Sequence, residues 1–237
     1  MENDSIQRND SIWPAFLADQ HVQLALAVAE EIAAWNIASF GEMRLQASEV
    51  ERMAGIAFFV THEHHSSAIR LTRLNHTASA MALMRPAFES YVHGIWLMHA
   101  DEEQLSKFQK GYQSSGPEKL IRMCVKATNK ERYAGLLETW EQSKPSLHGF
   151  VHNSYQSLIR RSGAIDFTKS EIVDLLRFSG GMALHASLEL LEMMKAHAPP
   201  DEDATIRSSH LVRLQNELLR LLERVDLVER LSAAVKQ

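Results

Sequence analysis

From Thr77 to Ala100 the chain reads TASAMALMRPAFESYVHGIWLMHA, a nearly unbroken run of apolar or small residues with two formal charges, Arg85 and Glu89. Such a run has to be buried, because leaving it in water forfeits the hydrophobic term that folds a chain. On a helix, residues four apart stand one turn above each other on the same face. Arg85 and Glu89 therefore rise together from a core-forming surface, where an unpaired ion costs more than packing returns. They are expected to pair with each other or with a polar cluster. Two readings stay open: a buried ion pair that fixes helix register, or a site in which Arg85 holds a phosphate or carboxylate while Glu89 orients a histidine or acts as a base. The run is also long enough to raise the question of a membrane span. Arg85, Pro86, Glu89 and His93 near its middle favour a buried helix and no membrane.

Apolar residues elsewhere recur at three and four, with no sustained alternation of the kind strands need, so the expected class is all-α. We expect one multi-helix bundle over residues 1–237, with a core at 14–198 and a long C-terminal helix at about 203–235. Pro14, Pro117 and Pro145 each fall where a helix can start. Pro86, inside the apolar run, is expected to kink its helix. Ser48 with Glu51, and Thr168 with Glu171, have capping-box spacing. Gly41 reads as a helix stop, Asp101 as a cap, and Gly180 with Gly181 as a break or bend. In the last helix Leu211, Leu214, Leu218, Leu221, Val225 and Val228 form a coiled-coil-like seam, which serves either the bundle itself or a dimer.

Composition narrows the partners. The 237 residues carry a net charge of −5, with 45% hydrophobic and 23% charged residues, so nothing general draws the chain to nucleic acid or anionic lipid. One cysteine, Cys124, excludes an intrachain disulfide framework and fits a reducing, cytoplasmic setting, as does a polar start, MENDSIQRND, without signal-peptide layout. Lys119, Arg122, Lys126 and Lys130 line one helix face that can meet phosphates, but without interleaved aromatics it reads first as a solvated face.

Motifs for covalent or nucleotide chemistry are missing: GYQSSGPEK has Pro117 and Glu118 where a phosphate loop needs its lysine and hydroxyl, and no GxSxG elbow occurs. Histidine is more informative, with 12 in the chain and a group at His62, His64, His65, His76, His93 and His99. His148 and His152 are four apart, so on a helix both rings leave one face and can share a metal or a proton-transfer task. Histidines that only bond within the bundle are the competing reading.

EHHSSAIRLTRLNHTASAMALMRPAFESYVHGIWL, followed downstream by LHGFVHNSYQSLIRR, resembles an uncharacterised bacterial all-helical family related to HEPN domains, across roughly Glu63 to Arg161. The resemblance implies a HEPN-like bundle, commonly a homodimer, whose relatives include RNA-cleaving toxins and defence proteins. It implies a metal-independent, ribonuclease-like site in which histidine does acid/base work and arginine steadies phosphate charge. Carried onto this chain, the site is Arg85, Glu89, His148 and His152, with RNA or another phosphate-bearing ligand and no cofactor. This chain departs from the family's Arg-to-His spacing, since Lys144 is the nearest cation before His148. HGFVHNSYQSLIRRSG also resembles the HxxxH segment of DinB-like metal-dependent four-helix bundles. That resemblance implies a hydrolase or transferase holding a divalent metal such as zinc or nickel on His64, His148 and His152. A non-catalytic dimer that binds a partner protein is the third expectation.

Overall fold

The computed structural model describes residues 18–43, 47–111, 116–128, 131–151, 158, 167–197 and 204–235, which leaves Pro14, Lys130 and His152 outside the described residues. Within them every regular element is a helix and none is a strand. In chain order these are α1 (Gln20–Phe40), α2 (Glu49–Arg73), α3 (Thr77–Ala82), α4 (Met84–Leu97), α5 (Glu102–Gln109), α6 (Pro117–Thr128), α7 (Glu131–Val151), α8 (Lys169–Ala196) and α9 (Ala204–Val235). No described helix is long and apolar enough to cross a membrane.

The helix starts follow local chemistry. Asp19 caps α1 by accepting from the His21 and Val22 amides, and its other oxygen takes Lys169 Nζ at 2.6 Å, tying the start of α1 to that of α8. Both capping boxes read from the sequence are formed, Ser48 with Glu51 and Thr168 with Glu171, and Asp101 forms a third with Gln104. α2 ends in a Schellman motif: Asn75 takes the left-handed φ of 58°, and the His76 amide reaches back to the Leu71 carbonyl at 2.8 Å.

Three expectations about breaks are corrected. The apolar run is not one kinked helix but two, α3 and α4, parted at Leu83. Pro86 has no N–H to give and its ring crowds the carbonyl four residues back, so the ladder restarts just before it and Pro86 falls in the first turn of α4. Pro145 does not open a helix; α7 runs through it. The lost bond concerns the Glu141 carbonyl on an exposed edge, where water can replace it, while buried Trp140 and Leu147 hold the turns on either side. Nor does α8 break at Gly180 and Gly181. A Cβ on Gly180 would stand 3.1 Å from Ile32 Cδ1 and 3.6 Å from His65 Cε1, so that glycine lets α1 and α2 come close to α8.

α8 is the central helix, packed against α1, α2, α4 and α9, and α2 lies along α4. Gly94 makes the last contact possible: a Cβ there would lie 2.7 Å from Phe58 Cδ1. Phe58, Phe88, Tyr91, Ile95, Leu176 and Leu190 are among the fully buried side chains of a single continuous core, each contributing about 1.5–3 kcal/mol by leaving water. α9 closes the bundle over α8 and α1. Leu214, Leu218, Leu221 and Val228 are buried in this chain's own core, so the heptad-like seam serves the bundle rather than standing free for a second copy. Outside it, Trp35 Nε1 donates to Glu217 at 2.9 Å, and Arg220 and Arg224 both pair with Glu31.

Candidate functional site

Arg85 lies in the first turn of α4, where the helix dipole disfavours a cation, and Glu89 one turn on answers it. Arg85 Nε donates to Glu89 Oε1 at 2.7 Å. The side chains are 20% and 30% exposed, so the pair sits at the margin of the core rather than as the enclosed island the apolar run suggested. The guanidinium also crosses to α7, where Nη1 lies 3.2 Å from His148 Nδ1. His148 is in the last turn of α7, a helix end that favours positive charge. Guanidinium can only donate, so Nδ1 accepts and the ring proton sits on Nε2. The ring is further placed by Trp140 at 6.1 Å, which stacks at 5.4 Å on Phe88 of α4.

Arg85, Glu89 and His148 are thus brought together from two helices. His152, their expected companion, falls outside the described residues. His64, the third ligand of the metal reading, is half-buried on α2, and burial lowers its pKa. Among the described residues no three His, Cys, Asp or Glu side chains gather as metal ligands.

The remaining histidines divide by burial. His65 is enclosed, with Nε2 3.0 Å from the Ala29 carbonyl and Nδ1 3.0 Å from Ser179 Oγ. The carbonyl needs a donor, so Nε2 carries the proton, and desolvation drives the pKa down to about 4. His62 is likewise pushed to about 4 by burial, with Nε2 at 3.1 Å from the Ala183 carbonyl and 3.0 Å from Ser187 Oγ. These are neutral rings that join α2 to α1 and α8. His93 Nδ1 bonds to the Glu89 carbonyl of its own helix at 2.8 Å. His99 Nε2 stands 3.4 Å from the Tyr133 hydroxyl, and His76 is exposed at the start of α3.

Among the described residues Glu189 is the one acidic or basic side chain other than histidine that the core encloses, and sequence reasoning passed over it. It is fully buried in α8, with the Tyr133 hydroxyl at 3.4 Å and the Tyr91 hydroxyl at 3.5 Å. A sequence clue existed, because Glu189 occupies a place in the apolar stripe Met182, Ala186, Met193, spaced four, three and four. Cys124, also buried, has its thiol pKa pushed up to about 12, first by desolvation and then by the Glu189 charge. It is no nucleophile at neutral pH. Lys119, Arg122 and Lys126 are exposed on α6, and Arg122 pairs with Glu118 at 3.2 Å and reaches Glu141 at 3.6 Å, the arrangement of a solvated face.

No curated protein and no solved structure matches the chain. A family model does match, over residues 58–215, a span that takes in Arg85, Glu89, His148, His62, His65 and Glu189 and covers well over half of the sequence. The chain belongs to this family of unknown function (DUF6988).

Proposed function

We propose that the chain is a HEPN-like helical protein that handles RNA or a nucleotide in a bacterial defence or toxin–antitoxin setting, working as a homodimer. One observation carries this reading: Arg85 Nη1 stands 3.2 Å from His148 Nδ1, which joins a permanent cation to an imidazole across two helices. An Arg–His pair at a partly open margin is the minimal equipment for phosphodiester chemistry, one group to steady anionic oxygens and one to move a proton. Arg85 engages Glu89 through Nε and His148 through Nη1, and its guanidinium is the group that would meet a phosphate oxygen. With Nδ1 accepting from Arg85 the ring is neutral. To serve as the acid, His148 would first take a second proton on Nδ1 and release Arg85 Nη1, and the imidazolium would then donate from Nε2. In RNA cleavage a 2′-hydroxyl would attack phosphorus, the bond to the 5′-oxygen would break, and His148 would protonate the leaving oxygen. His152 would take the hydroxyl proton.

The test is incubation of purified wild type, His148→Ala and His152→Ala with a fluorescently labelled single-stranded RNA, without added metal, alongside induced expression in cells. Cleavage by wild type, lost in both variants, with 2′,3′-cyclic phosphate ends, supports the reading. Identical RNA patterns and growth for the three proteins overturn it. Persistence of partner binding in all three would instead indicate a non-catalytic interaction protein.

A further inference from the structure

The side of α2 turned away from the core carries a continuous stripe. Ile56, Phe59, Glu63, Ser67, Arg70 and Leu74 follow one another at three and four residues, so their side chains leave one side of the helix. The opposite side holds Phe58, Thr61, His65 and Ala68, all enclosed in the core. Ile37 of α1 borders the stripe, lining one open groove with Phe59, Glu63, Ser67 and Arg70. Ile37, Leu74 and Ile56 are 67%, 66% and 62% accessible, the three most exposed large apolar side chains among the described residues. Such residues scattered singly are ordinary, but three gathered along one face mark a surface that another body covers.

The charges on the stripe say which body. Glu63 and Arg70 stand two turns apart, about 10 Å along the axis. Neither forms a hydrogen bond or ion pair with another side chain of the described residues. Elsewhere on α2 such groups are satisfied within the chain, Arg73 by Glu30 and Glu51 by Ser48 and His197. Midway between Glu63 and Arg70 lie Ser66 and Ser67, small enough to let two helix axes approach to the about 8–10 Å of packed helices.

A second α2 laid antiparallel across these serines, on a two-fold axis, sets Glu63 of each protomer against Arg70 of the other. The same operation places Leu74 of one protomer over the hollow between Ile56, Phe59, Val60 and Glu63 of its partner. Those four have the i, i+3, i+4, i+7 spacing that receives a knob. A two-fold contact requires this self-complementarity, in which i meets j and j meets i. An unrelated partner requires nothing of the kind.

We infer that the outer face of α2 is a homodimer interface, closed by a second copy of this chain lying antiparallel across Ser66 and Ser67. Two Glu63 to Arg70 ion pairs flank the axis, and Leu74 packs on Ile56 and Phe59 at each end. The inference rests on the dimeric state in the reading above, to which it gives a surface, and not on that reading's chemistry. It engages the side of α2 opposite Phe58, whose ring meets Gly94 of α4, so the α4 side that carries Arg85 stays uncovered.

Sedimentation equilibrium of the full chain from about 1 to 100 µM, a range that resolves micromolar self-association, tests this. Wild type should dimerise. Glu63→Arg opposes two cations on each side of the axis, Arg70→Glu opposes two carboxylates, and each should weaken self-association about tenfold or more. An equimolar mixture of the two variants should dimerise again, because a stripe with two cations then meets one with two anions. Leu74→Asp should weaken association without restoring partner. All three positions are exposed, so the variants should keep the wild-type helical circular dichroism. Wild type that stays monomeric throughout the range overturns the inference. So does a dimer that both charge variants leave unchanged, or a mixture that fails to restore association. Cleavage of labelled RNA is read separately: a lost interface with His148-dependent cleavage retained would sink this inference and leave the catalytic reading standing, and a two-fold dimer without cleavage would do the reverse.

Discussion

Arg85 Nη1 and His148 Nδ1 stand 3.2 Å apart, a link between the first turn of α4 and the last turn of α7. The same guanidinium holds Glu89 at 2.7 Å. Arg85 is therefore the hub, and Glu89 and His148 meet through it.

Removing the hub should affect folding as well as any chemistry. Arg85→Ala removes the ion pair with Glu89 and the bond to His148 at a partly buried margin, and we expect a loss of about 1–3 kcal/mol in urea unfolding. Arg85→Lys, whose single nitrogen cannot serve two partners with the same geometry, should recover only part of it. A change below about 0.5 kcal/mol in Arg85→Ala would mean that the fold does not depend on the bridge.

The two enclosed histidines make stability depend on acidity. His62 and His65 are held near 4 when folded, against an ordinary value of 6.5. The unfolded chain therefore binds more protons between those values, and stability falls as pH drops. Each ring contributes roughly 3 kcal/mol that is present above pH 6.5 and lost by about pH 4, a large share of a typical total of about 5–15 kcal/mol. Urea denaturation in steps from pH 7.5 to pH 4.5 should show a decline approaching about 2.7 kcal/mol per pH unit in mid-window, the value for two protons. A flat profile there would contradict the buried, neutral assignment.

Gly94 allows a close approach of α2 to α4. Gly94→Ala puts a methyl against the Phe58 ring, 2.7 Å from Cδ1, and the ring has no free direction in a filled core. Overpacking of this sort costs about 1–3 kcal/mol, outweighing the gain of about 1 kcal/mol in helix propensity. Thermal unfolding that is unchanged or raised in Gly94→Ala would show that α2 and α4 separate easily.

The α9 seam belongs to the monomer's core. Leu221→Ala should lower unfolding stability by about 2–5 kcal/mol through lost burial and the cavity left behind. The loss should be independent of protein concentration. A loss that shrinks as concentration rises would place Leu221 in an interface between copies instead.

Cys124 should be silent in the native state. Buried, with its thiol pushed up to about 12, it should resist iodoacetamide at neutral pH and react fully after unfolding in urea. Rapid native labelling, read by intact mass, would show that α6 opens readily.

Sequence reading succeeded where the cause is local. Ser48 with Glu51 and Thr168 with Glu171 cap helices because a hydroxyl and a carboxylate three residues apart satisfy each other's free amides whatever surrounds them. Pro86 and Pro145 show the limit of local rules. Both lack an N–H, yet one lies at a restart and the other inside a helix, because the exposed edge of α7 lets water take the orphaned carbonyl. The Arg85–Glu89 pair followed from spacing alone. That His148, and not another histidine, would meet Arg85 required the packing of α4 beside α7.

Periodicity by itself determined the all-helical class, the capped helix starts and the pairing of residues one turn apart, since each depends on neighbours within a few positions. Tertiary structure alone decided which polar groups are enclosed. Asn36 and Ser187 look ordinary in the sequence, and become an unmet amide and a shared hydroxyl only when α1 and α2 close on α8. Burial is a property of the faces that meet, and residues far apart in the chain set it jointly.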